Sequence, residues 1–239
     1  MIRGAVSLLF VALCLVLGVC WASEAIEPAS GTKFPLKLGD LDLVGTGIRV
    51  KKIVFVSVQV YAAGLYVDAK GSSNALRASL GESYDYTKAE PKLFQELLAG
   101  HNHIKKALRL VMVRNVGGET MAGALKEAVE PRLMALAEAE GPESVAEAKK
   151  ALEAFKGQFD MKELPTGTEL IFSWPNGNLN TEIAGTQKGK VDSLLLARAL
   201  FSVFLDENSV VERKDMVATL GSVVANHVKH EQTATGSDE

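Results

Sequence analysis

Cysteine is almost missing from this sequence. Among 239 residues only Cys14 and Cys20 carry a thiol, and both fall in an N-terminal stretch that reads as a leader. A chain that loses them on export has no disulfide, no thiolate metal site and no cysteine nucleophile, so its stability must come from a buried core. Also missing are a Gly-rich phosphate loop behind a strand, a nucleophile elbow and a zinc helix of paired histidines. Histidine itself is scarce. His101-Asn102-His103 is the one close pair, without an evident third ligand, and reads as a solvated turn, while His227 and His230 stand near the C-terminal end as bystanders. No metal and no cofactor is expected. The formal net charge of -3 is spread without a basic block, which argues against nucleic acid or an anionic membrane as the main partner. No Pro/Gly/Ser linker divides the chain, and it has no internal repeat.

The leader is what stands in place of these features at the start. Arg3 supplies a positive end, Ala5 to Val19 an apolar run, and Cys20-Trp21-Ala22 small residues at the two positions a signal peptidase inspects. Cleavage is expected after Ala22. A membrane-spanning helix needs about 20 apolar residues, and Ser23-Glu24 arrive too soon for one. Acylation at Cys20 would want a small residue before it, where Val19 stands. The chain therefore reads as exported, periplasmic or secreted, with no integral membrane span after cleavage.

The remaining roughly 217 residues suffice for one well-buried core. A polar lead-in over 23–33 precedes a domain over 34–228, and 229–239 reads as a disordered polar tail. Phe34 to Val44 alternates weakly and meets Gly45-Thr-Gly47, which reads as a turn. From Ile53 to Val67 the density of β-branched and aromatic residues predicts one long strand. Period two puts Val54, Val56, Val58 and Val60 on an apolar side that wants a helix layer. Phe55, Ser57, Gln59 and Tyr61 then share a mixed side, either surface or a cavity wall with polar tips. Ser72 or Ser73 can cap a short helix ending at Gly81, and Pro91 opens another that buries Leu93, Phe94, Leu97 and Leu98. Ala107 to Val113 is strand-like. Gly117-Gly118 leads into a long helix carrying Met121, Leu125, Val129 and Leu133, with Pro131 as a kink or break, and Pro142 begins the next helix. Glu169 to Trp174 and Leu179 to Ala184 flank Pro175-Asn-Gly-Asn178, a hairpin signal. Two apolar helices, Val191 to Leu205 and roughly Arg213 to Val228, close the pattern. The whole reads as α+β with a largely antiparallel sheet.

Gly45-Thr-Gly-Ile-Arg49, followed twelve residues later by Tyr61 within Val60-Tyr-Ala-Ala-Gly-Leu-Tyr-Val67, resembles the chalcone isomerase superfamily. Lys105 to Val113 is similar to that family's next strand, Leu164 to Phe172 to its late hairpin, and Ala197 to Leu205 to its closing helix. The resemblance runs from about Phe34 to Gly221. It implies an open-faced sandwich, a largely antiparallel sheet packed against a layer of helices.

Catalytic members of that superfamily use an arginine, a threonine on the long strand, and a tyrosine and an asparagine on the following helix. Arg49 matches the arginine, Tyr61 stands at the threonine position, and Met121 and Ala128 fall where the tyrosine and asparagine would be. Neither Met121 nor Ala128 can donate a hydrogen bond to an enone oxygen. The resemblance thus implies a non-catalytic binding protein, with an isomerase or intramolecular lyase acting on a chalcone-like or other enone substrate as the alternative. In the fatty-acid-binding branch the arginine is kept and a tyrosine occupies the strand position. Arg49 with Tyr61 is similar to that branch's carboxylate clamp, Gln59, Met121 and Ala128 are further ligand-binding candidates, and a fatty acid or similar apolar carboxylate is the implied ligand. A guanidinium offers paired N–H donors matched to a carboxylate, and a phenol can add a third bond. From spacing alone Arg49 also reads as an exposed strand-end arginine beside Lys51 and Lys52, and Tyr61 as a core aromatic with a wet hydroxyl. A structural or interaction module without a ligand cavity is the third reading.

Overall fold

The computed structural model describes residues 23–53, 55–100 and 103–235. The expected signal segment with both cysteines, Val54, and His101 of the histidine pair lie outside the described residues.

The chain begins with three short strands, β1 (Glu24–Ile26), β2 (Lys33–Pro35) and β3 (Lys37–Leu38), and continues into two long ones, β4 (Leu41–Ile53) and β5 (Val56–Val67). The last two pair antiparallel along their length, from Asp42 opposite Val67 to Ile53 opposite Val56. The single strand expected from Ile53 onward is therefore the second arm of a hairpin whose first arm already ends at Ile53. Gly45 and Gly47, expected to form a turn, lie within β4. A Cβ on Gly45 would sit 2.1 Å from the carbonyl oxygen of Asp215 and 2.3 Å from the carbonyl carbon of Met216. Glycine is needed there so that a later segment can lie against the strand, a role distinct from chain reversal.

Helix α1 (Ala69–Leu80) follows directly, capped by Asp68, whose carboxylate accepts from Lys70 N at 3.2 Å and Gly71 N at 3.1 Å. Ser72 and Ser73, expected as caps, are instead buried inside the helix. Then come α2 (Pro91–Leu98), β6 (Lys106–Met112), β7 (Val116–Gly117), α3 (Gly118–Glu140) and α4 (Pro142–Lys156). Pro131 sits inside α3 without ending it. Beyond α4 lie β8 (Glu163–Leu164), β9 (Glu169–Trp174), β10 (Leu179–Ile183) and β11 (Thr186–Val191), then α5 (Leu194–Leu205) and α6 (Leu220–Thr235). The expected hairpin over 169–184 is formed by β9 and β10. Where one helix was expected from Arg213, a short 3₁₀ turn over Asp215–Val217 precedes α6, and α6 runs past Val228 to Thr235 in place of a disordered start to the tail.

The main sheet has seven strands in the order β11-β10-β9-β6-β5-β4-β3, with every neighbouring pair antiparallel. One face carries the large core: Tyr61, Ala63, Leu65 and Val67 of β5 and Leu108, Leu110 and Met112 of β6 join residues of all six described α-helices. At its centre is α5, apolar apart from Arg198 and Ser202, with Leu200, Phe201 and Phe204 fully buried. This is the α+β open-faced sandwich that the residue pattern and the resemblance imply. The other face is partly covered by the lead-in. There Phe34, fully buried, packs on Leu43, Ala62, Tyr66, Ala107 and Val111, and the Tyr66 hydroxyl donates to the Pro35 carbonyl at 3.0 Å. Arg109 grips Glu169 with two parallel bonds beside this small core and also donates to the Lys33 carbonyl at 3.1 Å.

Candidate functional site

The site is set by a break in strand parity. Arg49 lies opposite Tyr61 but Val50 lies opposite Gln59, so Val60 is an extra residue on β5 and forms a bulge. Before the bulge Val58 and Val60 face the helices; after it Tyr61 does. All three line one cavity. Gln59, expected to share a side with Tyr61, is exposed on the opposite face, where its Nε2 donates to the Ala29 carbonyl at 3.2 Å. It does not line the cavity, because one inserted residue reverses which face the residues before it present.

The cavity has a volume of about 620 Å³ and lies between the β4–β5 hairpin, the loop after β6, α3 and α5. Of the five residues expected from sequence, Arg49, Tyr61, Met121 and Ala128 line it together. Val58, Val60, Leu125, Val203 and Val210 add to its apolar surface. Thr120, Ala124 and Glu127 line it while remaining exposed, so the side along α3 opens to solvent.

Charge in the cavity is lopsided. Arg49, Lys51, Arg114 and Arg132 contribute four cations to the lining, against one carboxylate, Glu127. Arg132 is fully engaged: its Nε and Nη2 donate to Asp206 at 2.6 and 2.9 Å, and its other bonds go to the carbonyls of Ala128 and Asn208, each at 2.8 Å. Arg49 is not. Its Nη1 makes only long contacts, 3.4 Å to the Val210 carbonyl and 3.5 Å to that of Val50, and among the described residues it has no acidic partner.

Tyr61 is 5% exposed and packs obliquely on Phe204, with ring centroids 6.3 Å apart. Burial pushes its phenol well above the ordinary value, while the nearby charge of Arg49 pulls more weakly the other way. It therefore stays protonated and can donate a hydrogen bond; no described residue accepts one from it. A half-free guanidinium and an unpartnered neutral phenol, paired across two strands in the lining of this cavity, can together hold an anionic oxygen pair.

Lys51 and Arg114 were not anticipated as lining residues. Lys51 stands two positions beyond Arg49 and so shares its strand face, a signal available in the sequence. Arg114 follows β6 and reaches the cavity only because β6 lies beside β5, which depends on sheet order. Among the described residues no three His, Cys, Asp or Glu side chains are grouped to hold a metal ion, and no helix is long and apolar enough to cross a membrane.

An antiparallel sheet facing a layer of helices is also the fold of a crystal structure of an Arabidopsis thaliana fatty-acid-binding protein, AtFAP1. The match has a TM-score of 0.73 at 23% identity and covers 84% of this chain and 99% of that one; at this identity the likeness is one of fold. The model of the chalcone isomerase-like family matches residues 39–217, and the chain belongs to that family. It is 29% identical over 184 residues to chalcone isomerase-like protein 1 of Humulus lupulus, covering 76% of this chain and 82% of that protein. It is also 29% identical over 207 residues to fatty-acid-binding protein 2 of Arabidopsis thaliana, covering 81% of this chain and 49% of that longer protein.

Proposed function

We propose that this protein binds a fatty acid or similar apolar carboxylate, without transforming it, in the cavity between β4–β5 and the helices. Arg49 anchors the carboxylate, Tyr61 donates a further hydrogen bond, and Val58, Val60, Met121, Leu125 and Ala128 surround the acyl chain. The observation that carries this reading is an arginine without an acidic partner among the described residues, beside a protonated phenol, both lining a cavity of about 620 Å³. That volume falls within the usual range for small-molecule sites, about 300–1,000 Å³. A relative named as a fatty-acid-binding protein supports the ligand class. The isomerase alternative has less support, since Met121 and Ala128 line the cavity and have no proton to give. Export through the leader-like segment 1–22 is part of the proposal, and would confine the ligand to acids found in the periplasm or outside the cell.

Extraction of the purified protein with organic solvent, followed by mass spectrometry, tests ligand class. The expected result is a long-chain acid present in near-stoichiometric amount. Recovery of a polar metabolite or an uncharged lipid, or no increase in protein-bound fatty acid when the stripped protein is offered one, would overturn the reading.

A further inference from the structure

The β4–β5 hairpin ends in an apolar tip that no described residue covers. Phe55 is 98% exposed, Val56 62% and Val50 36%. A fully exposed phenylalanine at a turn is not explained by folding, because its ring contributes nothing to either core. Lys51 and Lys52 flank this tip, both exposed. The chain has 29 acidic residues, yet none occurs between Asp42 and Asp68, so from Leu43 to Val67 the hairpin carries cations only. The net charge of -3 hides this local excess.

The tip is continuous with the cavity. Lys51 and Val58, one on each arm of the hairpin, line it, and Arg114 adds another cation to the same lining. A hydrophobic side chain at the end of a hairpin, ringed by long cations whose stems can lie along apolar surface while their heads stay in water, matches the layered chemistry of an anionic lipid surface. One phenylalanine and two valines are too small an apolar area for a stable protein interface, which buries roughly 1,200–2,000 Å². Two such tips meeting would also set lysine against lysine.

We propose that this hairpin tip docks the protein on an anionic membrane surface, with Phe55 inserted among the lipids and Lys51 and Lys52 at headgroup level. Docking sets the cavity mouth against the membrane, and apolar acid passes between bilayer and cavity there. The proposal rests on the apolar-acid reading for its purpose but is tested separately from it.

Among the described residues every core residue lies between Phe34 and Val224, and the chain from Ser23 onward is used so that the apolar segment before it cannot itself anchor the protein. Flotation with phosphatidylglycerol–phosphatidylcholine vesicles is compared with pure phosphatidylcholine vesicles at low and high salt. Wild type should float with the anionic vesicles and lose binding as salt rises. Phe55→Ser and Lys52→Glu should each weaken that binding by about tenfold while leaving the protein's affinity for palmitate in solution within about twofold. Phe55→Trp should show blue-shifted emission on adding anionic vesicles. Three results would overturn the proposal: absence of flotation, equal flotation of Phe55→Ser and wild type, or a wild-type dimer by light scattering that Phe55→Ser makes monomeric. If palmitate binding fails but flotation holds, the ligand reading falls and the docking surface stands.

Discussion

Arg49 and Lys106 are both cations inside this fold, and their surroundings give them different consequences. Arg49 faces open space with only distant carbonyls nearby, so a ligand can complete it. Lys106 is 2% exposed, donates from Nζ to the Leu97 carbonyl at 2.7 Å, and stands 3.9 Å above the Trp174 ring, with no acidic partner among the described residues. Burial pulls its pKa down to about 7. In the unfolded chain the amine keeps its ordinary value near 10.5, so between these two values the unfolded state binds more protons and stability rises with pH. The penalty is complete below the lower value and gone above the upper one. The phenols of Tyr61 and Tyr66, held up by burial, titrate in the opposite sense only above about pH 10. Urea unfolding should therefore show wild type more stable at about pH 9.5 than at pH 7.5, by about 1–2 kcal/mol, with Lys106→Met largely losing the difference. Equal pH dependence in the two proteins would contradict this.

At the scale of the element, β4 and β5 show which features a sequence announces and which it does not. The hairpin over β9 and β10 was legible because Pro175-Asn-Gly-Asn178 marks its turn. The turn at Phe55 was not, because valine and phenylalanine surround it and no Gly, Pro, Asn or Asp interrupts the pattern. β11 is hidden for the opposite reason: half of its residues are exposed, and Thr186–Val191 has no apolar alternation to read. The bulge at Val60 has no residue-type signature, and so strict alternation groups Gln59 with Tyr61 although the two face opposite ways. Gly45 reads from the sequence as part of a turn. Its close approach to Asp215 joins residues 170 positions apart, which no local pattern reports. Gly45→Ala should lower stability by about 2–4 kcal/mol, since backbone atoms cannot rotate out of the way. Gly123 makes the contrast: it is exposed on α3, and a methyl group added there would meet nothing within 4 Å. Gly123→Ala should raise stability by about 0.5–1 kcal/mol in the same denaturation experiment. An unchanged midpoint for Gly45→Ala would show that the 3₁₀ turn yields.

For the whole molecule, the proposed binding site depends on long-range order. Arg49, Tyr61, Met121 and Ala128 come from β4, β5 and α3, and only the family resemblance, not local spacing, connects them in the sequence. The fold adds Lys51 and Arg114 to the cavity and removes Gln59 from it. It also gives the lead-in a use, as a cover over the second sheet face around Phe34. In the proposed function a carboxylate is held on the helix side of β4–β5 by Arg49 with help from Tyr61. Its most direct test is a palmitate titration of wild type, Arg49→Ala, Tyr61→Phe and Gln59→Ala, followed by calorimetry. Loss of charge-assisted bonds should weaken Arg49→Ala by about ten- to a hundredfold and loss of one neutral donor should weaken Tyr61→Phe by several-fold, with Gln59→Ala binding like wild type. Equal affinity of Arg49→Ala and wild type, or a loss in Gln59→Ala as large as in Arg49→Ala, would contradict it.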